Sequence, residues 1–144
     1  QDAKMSTMPL GNFEYPFSLP YLAEASGATY VARWTSLHIR RVTKSVREAL
    51  NHKGFSFIEV ITPCTTLYAR RNRLGDGLDL MKYYYDQSEI RHGCDTRETE
   101  IDFQGKIICG KFVQKEKPTY LDAMNEHLAK KLGDKYVPYG VDND

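Results

Sequence analysis

The sequence is poor in cysteine: Cys64, Cys94 and Cys109 are its only three, an odd number at wide spacing. That excludes a disulfide framework and a self-contained CxxC metal knuckle, so reduced thiols are expected. It also has no long apolar run. No stretch approaches the ~20 residues that span a bilayer, and the N-terminus lacks a charged-then-apolar leader pattern, so the expectation is a cytoplasmic chain without a membrane partner. Charge of one sign is missing as well. With Lys+Arg 20 against Asp+Glu 19, the formal charge is +1, which gives no argument for nucleic acid binding. No Walker loop, dinucleotide fingerprint, Ser/His/Asp order, repeat or low-complexity segment is present. Gly75-Asp76-Gly77 sits in a loop and is not read as a cofactor motif. There is no initiator Met, and residues 1–12 read like the middle of a loop, so a piece of a longer polypeptide is expected.

What remains is the composition of an ordinary globular domain, 41% hydrophobic and 27% charged over 144 residues. Residues 5–20 carry Pro9, Gly11, Pro16 and Pro20 and read as an irregular loop. Ser18 caps a short helix with Leu19, Leu22, Ala23 and Ala25 facing inward and Gly27 as its stop. Residues 28–34, rich in β-formers, read as a strand. Leu37, Ile39, Val42, Val46, Ala49 and Leu50 then recur at helical spacing opposite Arg40, Arg41, Lys44 and Arg47. After Gly54 comes Phe-Ser-Phe-Ile-Glu-Val-Ile-Thr-Pro-Cys at 55–64, a β-rich run ended by Pro63. It reads as a central strand with Ile58, Val60 and Ile61 buried. Strand, helix, strand implies a βαβ unit with a parallel pair, half of a doubly wound α/β fold.

Beyond Cys64 a basic, then glycine-rich excursion leads to a short helix over 78–87. Residues 88–100 show no period and are expected to wrap the outside. Residues 100–103 and 106–114 flank Gln104-Gly105 as a hairpin or a strand with a tight entry. Pro118 and Thr119 open a last helix with Leu121, Met124, Leu128 and Leu132 as its apolar stripe, and an extended tail follows from Lys135.

Few residues carry chemistry. Cys64, at the C-terminal edge of a strand where α/β sheets bind ligands, is open to two readings. One is a small buried apolar side chain, the other a thiolate ligand for iron–sulfur or zinc, with all further ligands coming from elsewhere. Arg70, Arg71 and Arg73 either bind an anionic partner (a phosphate, a nucleotide tail or an acidic electron carrier) or are solvated loop charge. His92 and Cys94 form a His-x-Cys pair in a charged segment and read as a surface coincidence. His38, His52 and His127 read as structural.

Several motifs in order resemble a known family. Met5-Ser6-Thr7-Met8-Pro9-Leu10-Gly11, Gly27-Ala28-Thr29-Tyr30-Val31-Ala32-Arg33, His52-Lys53-Gly54-Phe55-Ser56-Phe57-Ile58-Glu59-Val60 and Thr62-Pro63-Cys64 resemble the β subunit of 2-oxoacid:ferredoxin oxidoreductases. Tyr68-Ala69-Arg70-Arg71-Asn72-Arg73-Leu74-Gly75-Asp76, Gly110-Lys111-Phe112-Val113 and Glu116-Lys117-Pro118-Thr119-Tyr120 resemble its 2-oxoglutarate branch. The resemblance implies the C-terminal part of a thiamine diphosphate-binding α/β domain over residues 1–75, with a family-specific extension over 76–144 packed on it. It implies thiamine diphosphate, Mg2+ and a 4Fe-4S cluster as cofactors. It makes Cys64 a cluster ligand and places Met5, Ser6 and Thr7 in a loop near thiamine diphosphate. The other three cluster cysteines and the magnesium signature would precede Gln1, and no catalytic residue is assigned. The implied partners are an α subunit and further small subunits, ferredoxin, coenzyme A and a 2-oxoacid. Two alternatives stand beside this reading: a non-catalytic interaction module, and the same chemistry on pyruvate or a branched-chain 2-oxoacid.

Overall fold

A computed structural model of the chain describes residues 1–103 and 105–140. Its centre is β1 (Tyr30–Thr35), whose aromatic and β-branched residues are buried along the whole strand. Successive side chains of a strand alternate between faces. Tyr30, Ala32 and Trp34 therefore pack with Ile107 and Cys109 on one face, against Val42 and Ala49 of α2 (Ile39–Asn51). On the other face Val31 joins Ile108, Phe112 and Val113 against Ala23 of α1 (Leu19–Ala25). Helices thus cover both faces of one sheet, as a doubly wound α/β arrangement requires.

The chain leaves β1 through α2 and returns as β2 (Ser56–Ile61), parallel to it in a register that pairs Arg33 with Glu59. The other elements are α3 (Tyr68–Arg71), α4 (Gly77–Gln87), β3 (Ser88–Ile90), β4 (Ile107–Gln114) and α5 (Tyr120–Leu132). The sheet order is β2-β1-β4-β3. β1–β2 and β3–β4 are parallel and β1–β4 is antiparallel, so the sheet is mostly parallel. The β1–β4 register shifts between Val31 and Ala32, where Phe112 is the extra residue.

Several sequence expectations change. Among the described residues the run over 55–64 is not the central strand: β2 lies at the edge of their sheet, its side chains are half-buried and Val60 is exposed, because β4 fills the second side of β1. Residues 88–100 do not merely wrap the outside. They supply β3 and a 3-10 turn over Thr96–Glu98, with Thr96 and Thr99 buried. In α1, Pro20 and Ala23 are buried while Leu19 and Leu22 point outward. Ile39 and Leu50 of α2 are exposed, as are Leu121 and Leu132 of α5, which buries no residue. No hairpin precedes β4 among the described residues. Its expected tip includes Gln104, outside the described residues, as are residues 141–144 of the tail. The described part of the tail folds back rather than extending: Asn125 Oδ1 accepts from Tyr136 Oη and from the Tyr139 N–H at 3.0 Å.

Buried polar groups join these layers. Arg33, fully buried, donates Nε to Glu59 Oε2 at 2.6 Å and Nη1 to the Thr99 carbonyl. Ser18 Oγ donates to the Thr96 carbonyl at 3.1 Å, and Thr96 Oγ1 donates to Glu24 at 2.6 Å. A charge so far from water must be paired and hydrogen-bonded, and this network meets that condition. Residues 96–99 are thereby fixed against β1 and α1 by polar contacts that have no hydrophobic period. On the opposite face Glu48 of α2 accepts from Tyr30 Oη at 2.9 Å and Lys111 Nζ at 3.0 Å.

Candidate functional site

Pro63 stops the ladder of β2 and the chain turns at once into α3. The turn is closed by the Ala69 N–H donating to the Cys64 carbonyl at 3.1 Å. The Cys64 side chain is exposed. The backbone amides of Tyr68, Leu67 and Thr66 hold its thiol below the usual range. Amides acting together in this way form an anion-stabilising nest, and the thiolate is the form that ligates metals.

The other thiols have opposite environments. Burial pushes Cys109 up to about 11 and raises Cys94, which lies beside Glu98 and Asp95. His92 does not combine with Cys94 into a metal site. Its ring packs edge-on against Trp34, and its Nδ1 accepts from the Lys111 N–H at 3.2 Å. Asp76 is the N-cap of α4, accepting from the N–H groups of Leu78 and Asp79. That accounts structurally for the Gly-Asp-Gly triplet.

Met5 is half-buried, and Ser6 and Thr7 are exposed in bends. Their hydroxyls have no hydrogen-bond partner among the described residues. Asn72 draws this loop toward α3: its Oδ1 accepts from the Lys4 N–H at 2.7 Å, and its Nδ2 donates to the Lys4 carbonyl at 3.1 Å and to the Tyr68 carbonyl at 2.9 Å. The two segments singled out in the sequence, Met5–Thr7 and Cys64, are thus linked through one amide side chain. The sequence reading passed over Asn72, whose only signal was an amide among three arginines. It also passed over Tyr84 of α4, half-buried and raised by burial, by Tyr68 and Tyr83, and by the charge of Cys64 nearby.

The donor set fits a shared cluster only in part. Cys64 suits an iron or zinc ligand, because its thiolate is already stabilised. No group of three His, Cys, Asp or Glu residues among the described residues could hold a metal ion. This chain therefore offers one sulfur. Ser6 and Thr7 offer hydroxyls and backbone groups suited to contacting a diphosphate, and no carboxylate for Mg2+.

No known family model matches the chain. It is 35% identical over 128 residues to the 2-oxoglutarate synthase subunit KorB of Methanothermobacter marburgensis, covering 89% of this chain and 45% of that protein. It is 36% identical over 128 residues to the KorB subunit of Methanocaldococcus jannaschii, covering 88% of this chain and 47% of that protein. The chain is similar to 2-oxoglutarate synthase β subunits. A shorter match of 63 residues, at 38% identity, covers 44% of this chain and 20% of the 2-oxoacid:ferredoxin oxidoreductase β subunit of Aeropyrum pernix. The chain spans less than half the length of the 2-oxoglutarate synthase subunits it matches. Its fold matches a solved 2-oxoglutarate:ferredoxin oxidoreductase of Magnetococcus marinus, with a TM-score of 0.68 at 22% identity over 96% of this chain and 47% of that one. That structure holds 2-oxoglutarate, coenzyme A and succinyl-CoA. The resemblance read from the sequence motifs is borne out, for the 2-oxoglutarate synthase branch as well.

Proposed function

We propose that the chain works as part of the β subunit of a 2-oxoglutarate:ferredoxin oxidoreductase, within a complex with an α subunit and further small subunits in the cytoplasm. The reaction takes 2-oxoglutarate, coenzyme A and two oxidised ferredoxins to succinyl-CoA, CO2, two reduced ferredoxins and a proton. Two electrons leave the 2-oxoacid carbon as its bond to the departing carboxylate breaks, and a thioester bond forms to coenzyme A. Residues 1–75 are read as the C-terminal half of the cofactor-binding α/β domain and 76–144 as an extension. In support, β3 and β4 of the extension complete the sheet begun by β1 and β2.

The chain's own contribution lies at the end of β2. Cys64 holds one iron of a 4Fe-4S cluster, and the amides of 66–68 stabilise its sulfur as thiolate and orient it, much as hydrogen bonds to cluster sulfurs tune redox sites. Met5, Ser6 and Thr7 lie in a loop near the thiamine diphosphate site, positioned by the Lys4–Asn72 hydrogen bonds. Thiamine diphosphate, when bound, supplies the carbanion stabilisation that decarboxylation needs. The observation that carries this reading is the 36% identity over 128 residues to 2-oxoglutarate synthase subunits, with Cys64 set in a thiolate-stabilising nest.

The test is Cys64→Ser in the assembled complex. Iron and acid-labile sulfide per complex should fall and the reduced-cluster EPR signal should change, while thiamine diphosphate content is retained. Unchanged iron and an unchanged spectrum exclude the ligand role.

A further inference from the structure

We infer that the basic surface formed by Lys4, Arg70, Arg71 and Arg73 around the Cys64 turn is a docking site for the acidic face of a soluble electron-carrier protein. This rests on the reading of Cys64 as a cluster ligand, and it names the face through which electrons leave.

The whole chain carries a formal charge of only +1, yet residues 62–75 hold three arginines and no carboxylate. A second run without a carboxylate, residues 39–47, carries Arg40, Arg41, Lys44 and Arg47 on α2, but only the first run adjoins the exposed Cys64 in the chain. Arg33, Lys44, Arg91, Arg97, Lys111, Lys115 and Lys130 all have a carboxylate partner. Arg71 and Arg73 are exposed and have no ion pair or hydrogen bond from their side chains among the described residues. Arg70 keeps its place through Nη2 donating to the Thr66 carbonyl at 3.0 Å, inside the same turn. Asn72 fixes Lys4 alongside by two hydrogen bonds.

Arg73 adds a second, independent observation. Its φ of +55° lies in the left-handed region, where α3 ends with the Leu74 N–H donating to the Ala69 carbonyl at 2.9 Å. Helix ends of this form favour glycine, because any other side chain is strained there. Arginine occupies that position in this sequence and its guanidinium is displayed, unpaired, at the rim of the turn. α3 is one turn long, about 6 Å, so the arginines stay close to Cys64. Guanidinium groups pair with carboxylates in two-pronged geometry, and a local cationic patch speeds and orients encounter with an acidic partner in a salt-dependent way.

The experiment uses the assembled complex with a recombinant acidic bacterial 2[4Fe-4S] ferredoxin, and methyl viologen as a small cationic acceptor that needs no docking. In the Arg71→Gln/Arg73→Gln double variant, KM for ferredoxin should rise about tenfold at low salt. Its dependence on ionic strength should flatten, and calorimetric binding of ferredoxin should weaken in parallel. Iron content and the rate with methyl viologen should stay at the wild-type level. An Arg71→Lys/Arg73→Lys variant, which keeps the charge, should recover most of the ferredoxin affinity. Unchanged ferredoxin KM and salt dependence overturn the proposal. So does a rise in KM for coenzyme A without one for ferredoxin, which would make the patch a phosphate site, or an equal loss with both acceptors. A wild-type complex that holds no iron and reduces neither acceptor overturns the underlying functional reading instead.

Discussion

Three cysteines of one chain differ only in surroundings, and the differences assign them different chemistry. Cys64 meets backbone N–H groups, Cys94 meets Glu98 and Asp95, and Cys109 lies fully buried on β4. A lowered pKa means a larger thiolate fraction at any given pH, and the thiolate is the alkylating species. In the reduced, metal-free chain near neutral pH, iodoacetamide should modify Cys64 first and Cys94 more slowly. Cys109, at about 11 and inaccessible, should react only after unfolding. The rate-against-pH profile of Cys64, followed by peptide mass spectrometry, should have its midpoint below that of an ordinary thiol. If Cys94 reacts first, the amide nest does not govern Cys64.

At the scale of elements, β4 carries the most constraint, because it bridges β1 and β3 in opposite senses. Gly110 sits where the chain after β3 crosses it: a Cβ there would stand 2.6 Å from the Arg91 carbonyl oxygen, at a φ of +151°. Gly110→Ala should therefore lower stability by more than the roughly 1–3 kcal/mol of backbone strain, read as a lower urea midpoint with unchanged slope. Gly27→Ala is the control, with positive φ but nothing within 4 Å of the added atom. It should cost the left-handed backbone strain alone, roughly 1–2 kcal/mol. A larger loss at Gly27 than at Gly110 would refute the close-approach argument. The same strand shows what the sequence can and cannot disclose. Local periodicity and turn chemistry revealed β1, α2, β2 and the helix caps, because those signals lie within a few residues. The position of β2 at the edge of the sheet among the described residues was hidden, since strand order depends on β4, some fifty residues later, inserting beside β1. Residues 96–99 were hidden for a different reason. They are held by hydroxyls and carbonyls around Arg33, and such contacts leave no hydrophobic pattern. At the site, Cys64 was legible from the proline before it. Its N–H nest and the Asn72 link to Lys4 arise from backbone direction, which residue types do not encode.

At the scale of the whole molecule, the apolar surface is distributed unevenly. Leu10, Phe13, Tyr15 and Phe17 are 96%, 77%, 84% and 82% exposed along one stretch. Leu78, Met81 and Tyr85 of α4 recur at i, i+3 and i+7 and are also exposed. β2 has a strand neighbour on one side only among the described residues, with Val60 exposed on it. Scattered exposed apolar residues are ordinary, but continuous stretches and an unpaired sheet edge favour association. No helix among the described residues is long and apolar enough to cross a membrane. The 144-residue chain expressed by itself should self-associate. Its weight-average sedimentation coefficient should rise with concentration, and it should bind the dye ANS in its native state. Replacing Phe13, Tyr15 and Phe17 with serine should reduce both signals while leaving the far-UV circular dichroism unchanged, because none of the three belongs to the buried core. A triple variant that associates as strongly as the parent would place the sticky surface on α4 or the β2 edge. A parent that remains monomeric at every concentration and binds no dye would mean that these side chains are individually solvated.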